Sequence, residues 1–245
     1  MKKIFVFCFL VLFSVWTNAQ EKAGKKGPKK HKELKTELDS VSYALGVAIG
    51  STIRNGGLSD MNQKLFSKAL QQMLAEEEVW IDQEQGEQII TAYLQKLEAK
   101  KGEANLAAAK KFLEENRKKP GVVELPSGLQ YKVITEGTGE KPLPGDKVTV
   151  HYHGTLINGK VFDSSIDRGE PVQLQVDRVI KGWTEALQLM PAGSKWILYI
   201  PPDLAYGNRS IPGSPIEANS LLIFEVELLS IEHQEDKPAF QDMFK

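Results

Sequence analysis

Residues 145–156 read GDKVTVHYHGTL, and the alternation inside this stretch decides the fold. Val148, Val150 and Tyr152 alternate with Thr149, His151 and His153. A period of two sends one set to each face of a β-strand, so the stretch reads as a strand with one apolar face. The pattern recurs on both sides. Upstream, Leu129, Tyr131 and Val133 alternate with Gln130 and Lys132; downstream come residues 196–200 and 221–229. Glycine- and proline-rich connectors separate these runs, as turns between strands require. One helical pattern interrupts them over 178–189, with Val179, Ile180, Trp183, Leu187 and Ala186 on its inner side. A curved antiparallel sheet wrapped over one short helix is the expected architecture, an α+β domain.

Working outward from the strands, Lys118-Lys119-Pro120-Gly121 marks a change of period. Proline cannot continue a helix and restricts the residue before it, so a domain boundary is expected here. From 36 to 119 the signals are helical. Asp39 is positioned to cap a helix carrying Val41, Ala44, Leu45, Ala48, Ile49 and Ile53, which stops at Asn55-Gly56-Gly57. A second helix starts near Asn62 and places Leu65, Phe66, Ala69, Leu70, Met73 and Leu74 on one face. A third runs from Asp82 towards Lys119, with Ile89, Ile90, Tyr93, Leu94 and Leu97 early and the alanine-rich 104–109 later. If unbroken at Gly86 and Gly102, it extends about 50 Å at 1.5 Å per residue. Beyond Lys101 the residues are mostly Lys, Glu and Ala, and the expectation is a bare stalk. Helical hairpins with exposed apolar faces bury them against each other, so a homodimer through residues 36–97 is expected; the alternative is a self-contained three-helix cap on the C-terminal domain.

The N-terminus reads as an export signal: Lys2 and Lys3, an apolar run over 4–15, then Thr17-Asn18-Ala19, with cleavage expected near Ala19. The run is too short to span a bilayer, so stable membrane insertion is not expected. Cys8, the one cysteine, lies in mid-run rather than after small residues at its end, which argues against lipid attachment and leaves the mature chain without thiol chemistry. The periplasm is the expected compartment. Residues 20–35 are lysine-rich with two glycines and a proline, a flexible tether. Its lysines either attract anionic lipid or polyanions weakly or form a plain solvated linker. The formal charge of −1 becomes −3 once Lys2 and Lys3 leave, far from the basic balance of a nucleic-acid binder. The expected organisation is therefore a signal at 1–19, the tether at 20–35, a helical dimerisation and stalk region at 36–120, a sheet domain at 121–233 and a tail at 234–245.

Seven motifs in order, LPSGLQYKVITEGTG, GDKVTVHYHGTL, GKVFDSS, VIKGWTEAL, MPAGSKW, PPDLAYG and LLIFEVELL, resemble the FKBP-type peptidyl-prolyl cis/trans isomerases. The upstream DSVSYALGVAIG with its long helix is similar to the N-terminal domain of the exported bacterial Mip and FkpA branch. Members of that branch are typically dimeric through those helices. The resemblance implies rotation about X-Pro bonds in polypeptide clients, macrolides as an inhibitor class, and no cofactor or metal. It implies a pocket of Tyr152, Phe162, Asp163, Ile180, Trp183, Tyr206 and Phe224, with Val172, Val179 and Ile211 at the rim. The Ile180 backbone N–H and the Tyr206 hydroxyl are expected to face substrate carbonyls. Asp163 is expected to hydrogen-bond Tyr152 and pair with Arg168, a positioning residue.

The implied reaction makes and breaks no bond, so it needs no nucleophile. Amide resonance sets a barrier of about 18–20 kcal/mol, and removing about 5–7 kcal/mol accelerates rotation roughly 10⁴- to 10⁵-fold. A twisted amide is less dipolar than a planar one and is favoured by a dry apolar pocket. His151 and His153, at i and i+2 on one strand face, have a spacing two metal ligands use, but no third ligand is evident. Three departures fall on the rim: Val172 stands where many members have an aromatic wall, Ile211 where some have histidine, and Glu217-Ala218 where two prolines are usual. Two other readings stay open, a non-catalytic chaperone that docks proline turns and an envelope or lipid-surface protein working through the lysine tether.

Overall fold

The computed structural model describes residues 32–233. The signal read at 1–19, residues 20–31 of the tether and the tail at 234–245 lie outside the described residues. The chain divides into two compact units, Met1–Val79 and Trp80–Lys245.

The first unit contains α1 (Glu37–Asn55) and α2 (Gln63–Leu74). Its first cap differs from the expectation. Thr36 is the N-cap, and its hydroxyl accepts from Asp39 N–H at 3.1 Å while Asp39 accepts from Thr36 N–H at 2.7 Å. Asp39 is thus the third helical residue of a capping box rather than the cap. The hydrogen bond from the Thr36 backbone, with others from the Thr36 hydroxyl and Lys35 N–H, holds its carboxyl below the ordinary value. The second helix starts near Asn62 as read, and Asn62 proves to be its cap, accepting from Lys64 and Leu65 N–H. Both helices leave their apolar faces exposed, including Val41, Leu45, Ile49, Leu65, Phe66 and Leu70.

The second unit opens with α3 (Gln83–Asn116), a continuous helix through Gly86 and Gly102. The expectation of a bare stalk fails for its second half. Gly102, Ala109 and Asn116, seven residues apart, are buried, which is one stripe repeating every two turns. Asn116 Nδ2 donates to Gln130 Oε1 at 3.0 Å, Gln130 Nε2 donates to the Leu113 carbonyl at 2.9 Å, and the Phe112 and Tyr199 rings lie 5.8 Å apart. Small residues let the helix approach closely, so the contact does not need the large apolar stripe whose absence suggested a stalk. For that reason the two units part between Val79 and Trp80.

Seven antiparallel strands follow: β1 (Val122–Glu124), β2 (Gln130–Thr135), β3 (Lys147–Leu156), β4 (Val161–Ser164), β5 (Val172–Gln175), β6 (Lys195–Ile200) and β7 (Leu222–Glu232). Their order is β1-β2-β6-β7-β3-β4, with β5 pairing β3 off that path. The alternation read in 145–156 is realised, since Val148, Val150, Tyr152 and Gly154 are buried and their neighbours less so. This face, with Leu198, Ile200, Leu222, Phe224 and Val226, packs on α5 (Lys181–Leu187) through Trp183, Ala186 and Leu187. The helix is shorter than 178–189 because Ile180 is an extended N-cap and Arg178 N–H closes a turn onto Gln175. A one-turn α4 (Ser165–Arg168) follows β4, capped by the Ser164 hydroxyl.

Candidate active site

The register of β3 against its neighbours assembles the site. Gly154 pairs with Phe224 on β7 and with Asp163 on β4, while Tyr152 pairs with Val226. Gly154 has no room for a side chain: a Cβ there would sit 2.7 Å from Phe162 Cε2 and Cζ and 3.0 Å from Phe224 Cε1. The absent Cβ lets the two rings close over the strand.

The result is an open cleft of about 740 Å³ floored by aromatic rings meeting edge to face. Trp183 lies 5.6 Å from Tyr152 at 90° and 5.2 Å from Phe224 at 87°, and Phe162 lies 5.2 Å from Phe224 at 86°. In each pair the positive edge of one ring meets the negative face of the other, the preferred aromatic arrangement. Trp183, Phe224 and Tyr152 are buried, and α5 holds Trp183 against the sheet from behind.

One polar cluster borders this floor. The Tyr152 hydroxyl donates to Asp163 Oδ2 at 2.6 Å, Arg168 Nη2 donates to the Tyr152 oxygen at 2.9 Å, and Arg168 Nη1 pairs with Asp163 Oδ1. Partial burial alone would raise the Asp163 carboxyl, but the hydrogen bonds from Tyr152 and Arg168 outweigh it and hold it below the ordinary value. Burial first, then the bond to Asp163, pushes the Tyr152 phenol up. Asp163 is therefore ionised and Tyr152 protonated at neutral pH, a fixed arrangement rather than an acid–base couple.

Tyr152, Phe162, Asp163, Val179, Ile180, Trp183, Tyr206, Ile211 and Phe224 all line the cleft. Arg168 does not line the cleft but pairs with Asp163 behind it. Val172 is the exception: it pairs with Val150 and packs on the core, and Leu174, two residues along the same face of β5, lines the cleft instead. Arg178, Lys181, Ala205, Arg209, Ser214 and Ile216 also line it and were not singled out from sequence. Their signal was adjacency, since Arg178 and Lys181 bracket Val179-Ile180 and Arg209 lies between Tyr206 and Ile211. His151 and His153 point elsewhere: their Nδ1 atoms meet the hydroxyls of Ser165 at 3.1 Å and Ser164 at 3.0 Å.

The loop carrying Arg209, Ile211, Ser214 and Ile216 is held from behind by α3. Glu98 accepts from the Ser210 hydroxyl at 2.6 Å, Lys101 pairs with Glu217 at 2.9 Å, Asn105 donates to the Ala218 carbonyl at 2.9 Å, and Asn219 donates to the Gly102 carbonyl at 3.2 Å. A Cβ on Gly102 would meet Ala218 Cβ at 3.2 Å. This explains Glu217 and Ala218 where prolines were expected. Both N–H groups are in use, Glu217's to Ser220 Oγ and Ala218's to Ser210 Oγ, and proline has none to donate.

Among the donors at the cleft that are unengaged within the described residues are the Ile180 backbone N–H and the Tyr206 hydroxyl. The lining contains neither histidine nor cysteine. An aromatic floor beside free donors is suited to holding a peptide segment.

Comparison with known proteins agrees. Residues 138–229 match the family described as FKBP-type peptidyl-prolyl cis-trans isomerase, and residues 38–133 match the domain amino terminal to it. The outer membrane protein MIP of Legionella longbeachae is 46% identical over 205 residues, covering 81% of this chain and 87% of that protein. The peptidyl-prolyl cis-trans isomerase Mip of Coxiella burnetii is 41% identical over the same length, covering 81% and 88%. The crystal structure of FkpA from Escherichia coli superposes with a TM-score of 0.65 at 36% identity, covering 81% of this chain and 98% of that one. The chain belongs to the FKBP-type peptidyl-prolyl cis-trans isomerases, in the branch of Mip and FkpA.

Proposed function

We propose that the chain accelerates X-Pro rotation in exported polypeptides by holding the twisted amide over the Trp183 floor. The observation that carries this reading is the aromatic floor beside two unengaged donors, Ile180 N–H and Tyr206 O–H. A planar amide carries a large dipole that water solvates well; twisting removes conjugation and lowers that dipole. Edge-to-face rings therefore disfavour the planar form relative to the twisted one, which is differential binding of the transition state. The two donors hold the flanking carbonyls so that rotation occurs about one bond only. Asp163, fixed by Arg168 and Tyr152, adds a constant field beside the carbonyl carbon.

With a model Leu-Pro peptide, acceleration of about 10⁴-fold at saturation is expected, from a barrier lowered by about 5–6 kcal/mol. The profile of kcat/KM should be flat between about pH 5 and pH 9. Asp163 is depressed, so its charge is present above the ordinary carboxylate value and lost only as pH falls through its lower folded value. Tyr152 is raised, so it stays protonated past the upper end. No acceleration would sink the proposal, and a bell with both limbs inside that window would replace it with proton transfer.

The chain is further proposed to act as a periplasmic homodimer through residues 36–97. In support, α1, α2 and the first half of α3 each expose large apolar side chains, Ile89, Ile90 and Tyr93 among the last. Two catalytic domains in one assembly raise the effective concentration of a client already bound by one. Sedimentation of the mature chain at the mass of a single copy would remove the dimer from this reading. Among the described residues no helix is long and apolar enough to cross a membrane.

A further inference from the structure

The rim of the cleft carries a charge that bond rotation does not require. Of the residues lining it, Arg178, Lys181 and Arg209 are cations and Asp163 is the one carboxylate, already engaged by Arg168 and Tyr152. Arg178 and Lys181 lie at the entry to α5, and Arg209 lies on the loop that α3 braces. All three are exposed, and within the described residues none has an ion pair. Asp177, Glu185 and Asp203, the carboxylates near them in sequence, do not line the cleft. The whole chain has a formal charge of −1, so three unpaired cations around one opening are a local feature and not the overflow of a basic protein.

Resting on the isomerase reading, we propose that this rim selects prolines flanked by acidic side chains. Arg178, Lys181 and Arg209 are its specificity-determining residues. The proline and the residue before it occupy the aromatic floor. An extended chain advances at most about 3.3–3.6 Å per residue, so the next residue or two on each side must cross the rim. Glutamate or aspartate there meets an unpaired cation, whereas lysine or arginine meets a like charge, and both effects sharpen the choice. Each such contact is exposed and individually weak. Their sum acts on encounter as well as on the bound state, and salt screens it over about 8–10 Å at physiological ionic strength.

The test uses the mature full-length chain and three peptides, Xaa-Leu-Pro-Xaa-Phe, with both Xaa positions Glu, Ala or Lys. At about 20 mM salt the Glu peptide is expected to exceed the Lys peptide about tenfold in kcat/KM, shrinking to about twofold or less at about 0.5 M. Reversing all three cations, Arg178→Glu with Lys181→Glu and Arg209→Glu, should invert the ratio measured within that variant. Each single reversal should lower it about fivefold, which keeps the test readable if the triple variant is slow. A Glu-to-Lys ratio near one at low salt overturns the proposal. So does a ratio that survives high salt or the triple reversal, since selectivity would then lie in the apolar floor. Acceleration of the Ala peptide reports the isomerase reading separately; its absence would overturn that reading and this one together.

Discussion

Asp163→Ala combined with Tyr206→Phe is expected to lower kcat/KM for a Leu-Pro peptide about 100-fold while leaving the domain folded. A hydrogen bond or a fixed charge that favours the transition state contributes on the order of 1–1.5 kcal/mol, about tenfold in rate, and one of each is removed. Tyr206→Phe keeps the ring on the cleft wall and deletes only the unengaged hydroxyl. Asp163→Ala leaves Trp183, Phe224 and Phe162 in place but frees the Tyr152 hydroxyl and Arg168 from their common acceptor. The Asp163 and Arg168 side chains are each 44% exposed, so water takes over much of the broken pairing. The melting temperature should move by no more than about 5 °C. A coupled isomerisation assay with a thermal melt on the same preparation separates the two effects. Undiminished activity with an unchanged melt would remove both residues from the mechanism. The pair is more informative than Trp183→Ala, because Trp183 is also core and its loss confounds catalysis with packing.

Where a strand buries one face and shows the other, its sequence records the fact, which is why 145–156 could be read as it lies in the sheet. The aromatic floor was legible for another reason: its residues stand in ordered motifs whose resemblance to a known family is specific. What escaped was contact made by small or polar groups. Gly102, Ala109 and Asn116 form the buried stripe of α3, yet no apolar periodicity marks it, because close approach of backbones replaces large side chains. Thr36 and Asp39 share one capping box, and either is a plausible cap until the backbone is seen. Val172 was assigned to the wall by motif position, but Leu174 shares its strand face and reaches the cleft. The rim cations were invisible for a related reason. A surface arginine in sequence looks like any other until a fold brings it to the mouth of a site and leaves it without a partner.

Loss of stability is the main expected result of Gly182→Ala. Gly182 is buried in α5 immediately before Trp183, and a Cβ there would lie 2.5 Å from Ile200 Cγ2, with Cδ1 and Cγ1 at 3.2 Å and 3.3 Å. Ile200 cannot yield easily, being wholly buried on β6 and paired with Leu222 on β7. The helix must therefore lift from the sheet. Overpacking of this kind costs about 1–3 kcal/mol, and so close an approach belongs at the upper end. Alanine's better helix propensity returns at most about 1 kcal/mol. A net loss of about 2 kcal/mol corresponds to a fall of roughly 4–8 °C in melting temperature for a unit the size of Trp80–Lys245. Because Trp183 moves with the helix, kcat/KM should also fall at temperatures where the variant is still folded. Ile200→Ala supplies the control. Alone it opens a cavity and costs about 2–5 kcal/mol, but it also removes every atom that the new methyl would strike. In the double variant the methyl enters the space that Ile200 vacated, so the pair should be no less stable than Ile200→Ala by itself. Strictly additive losses would mean that the strain of Gly182→Ala arises elsewhere than at the contact of α5 with β6.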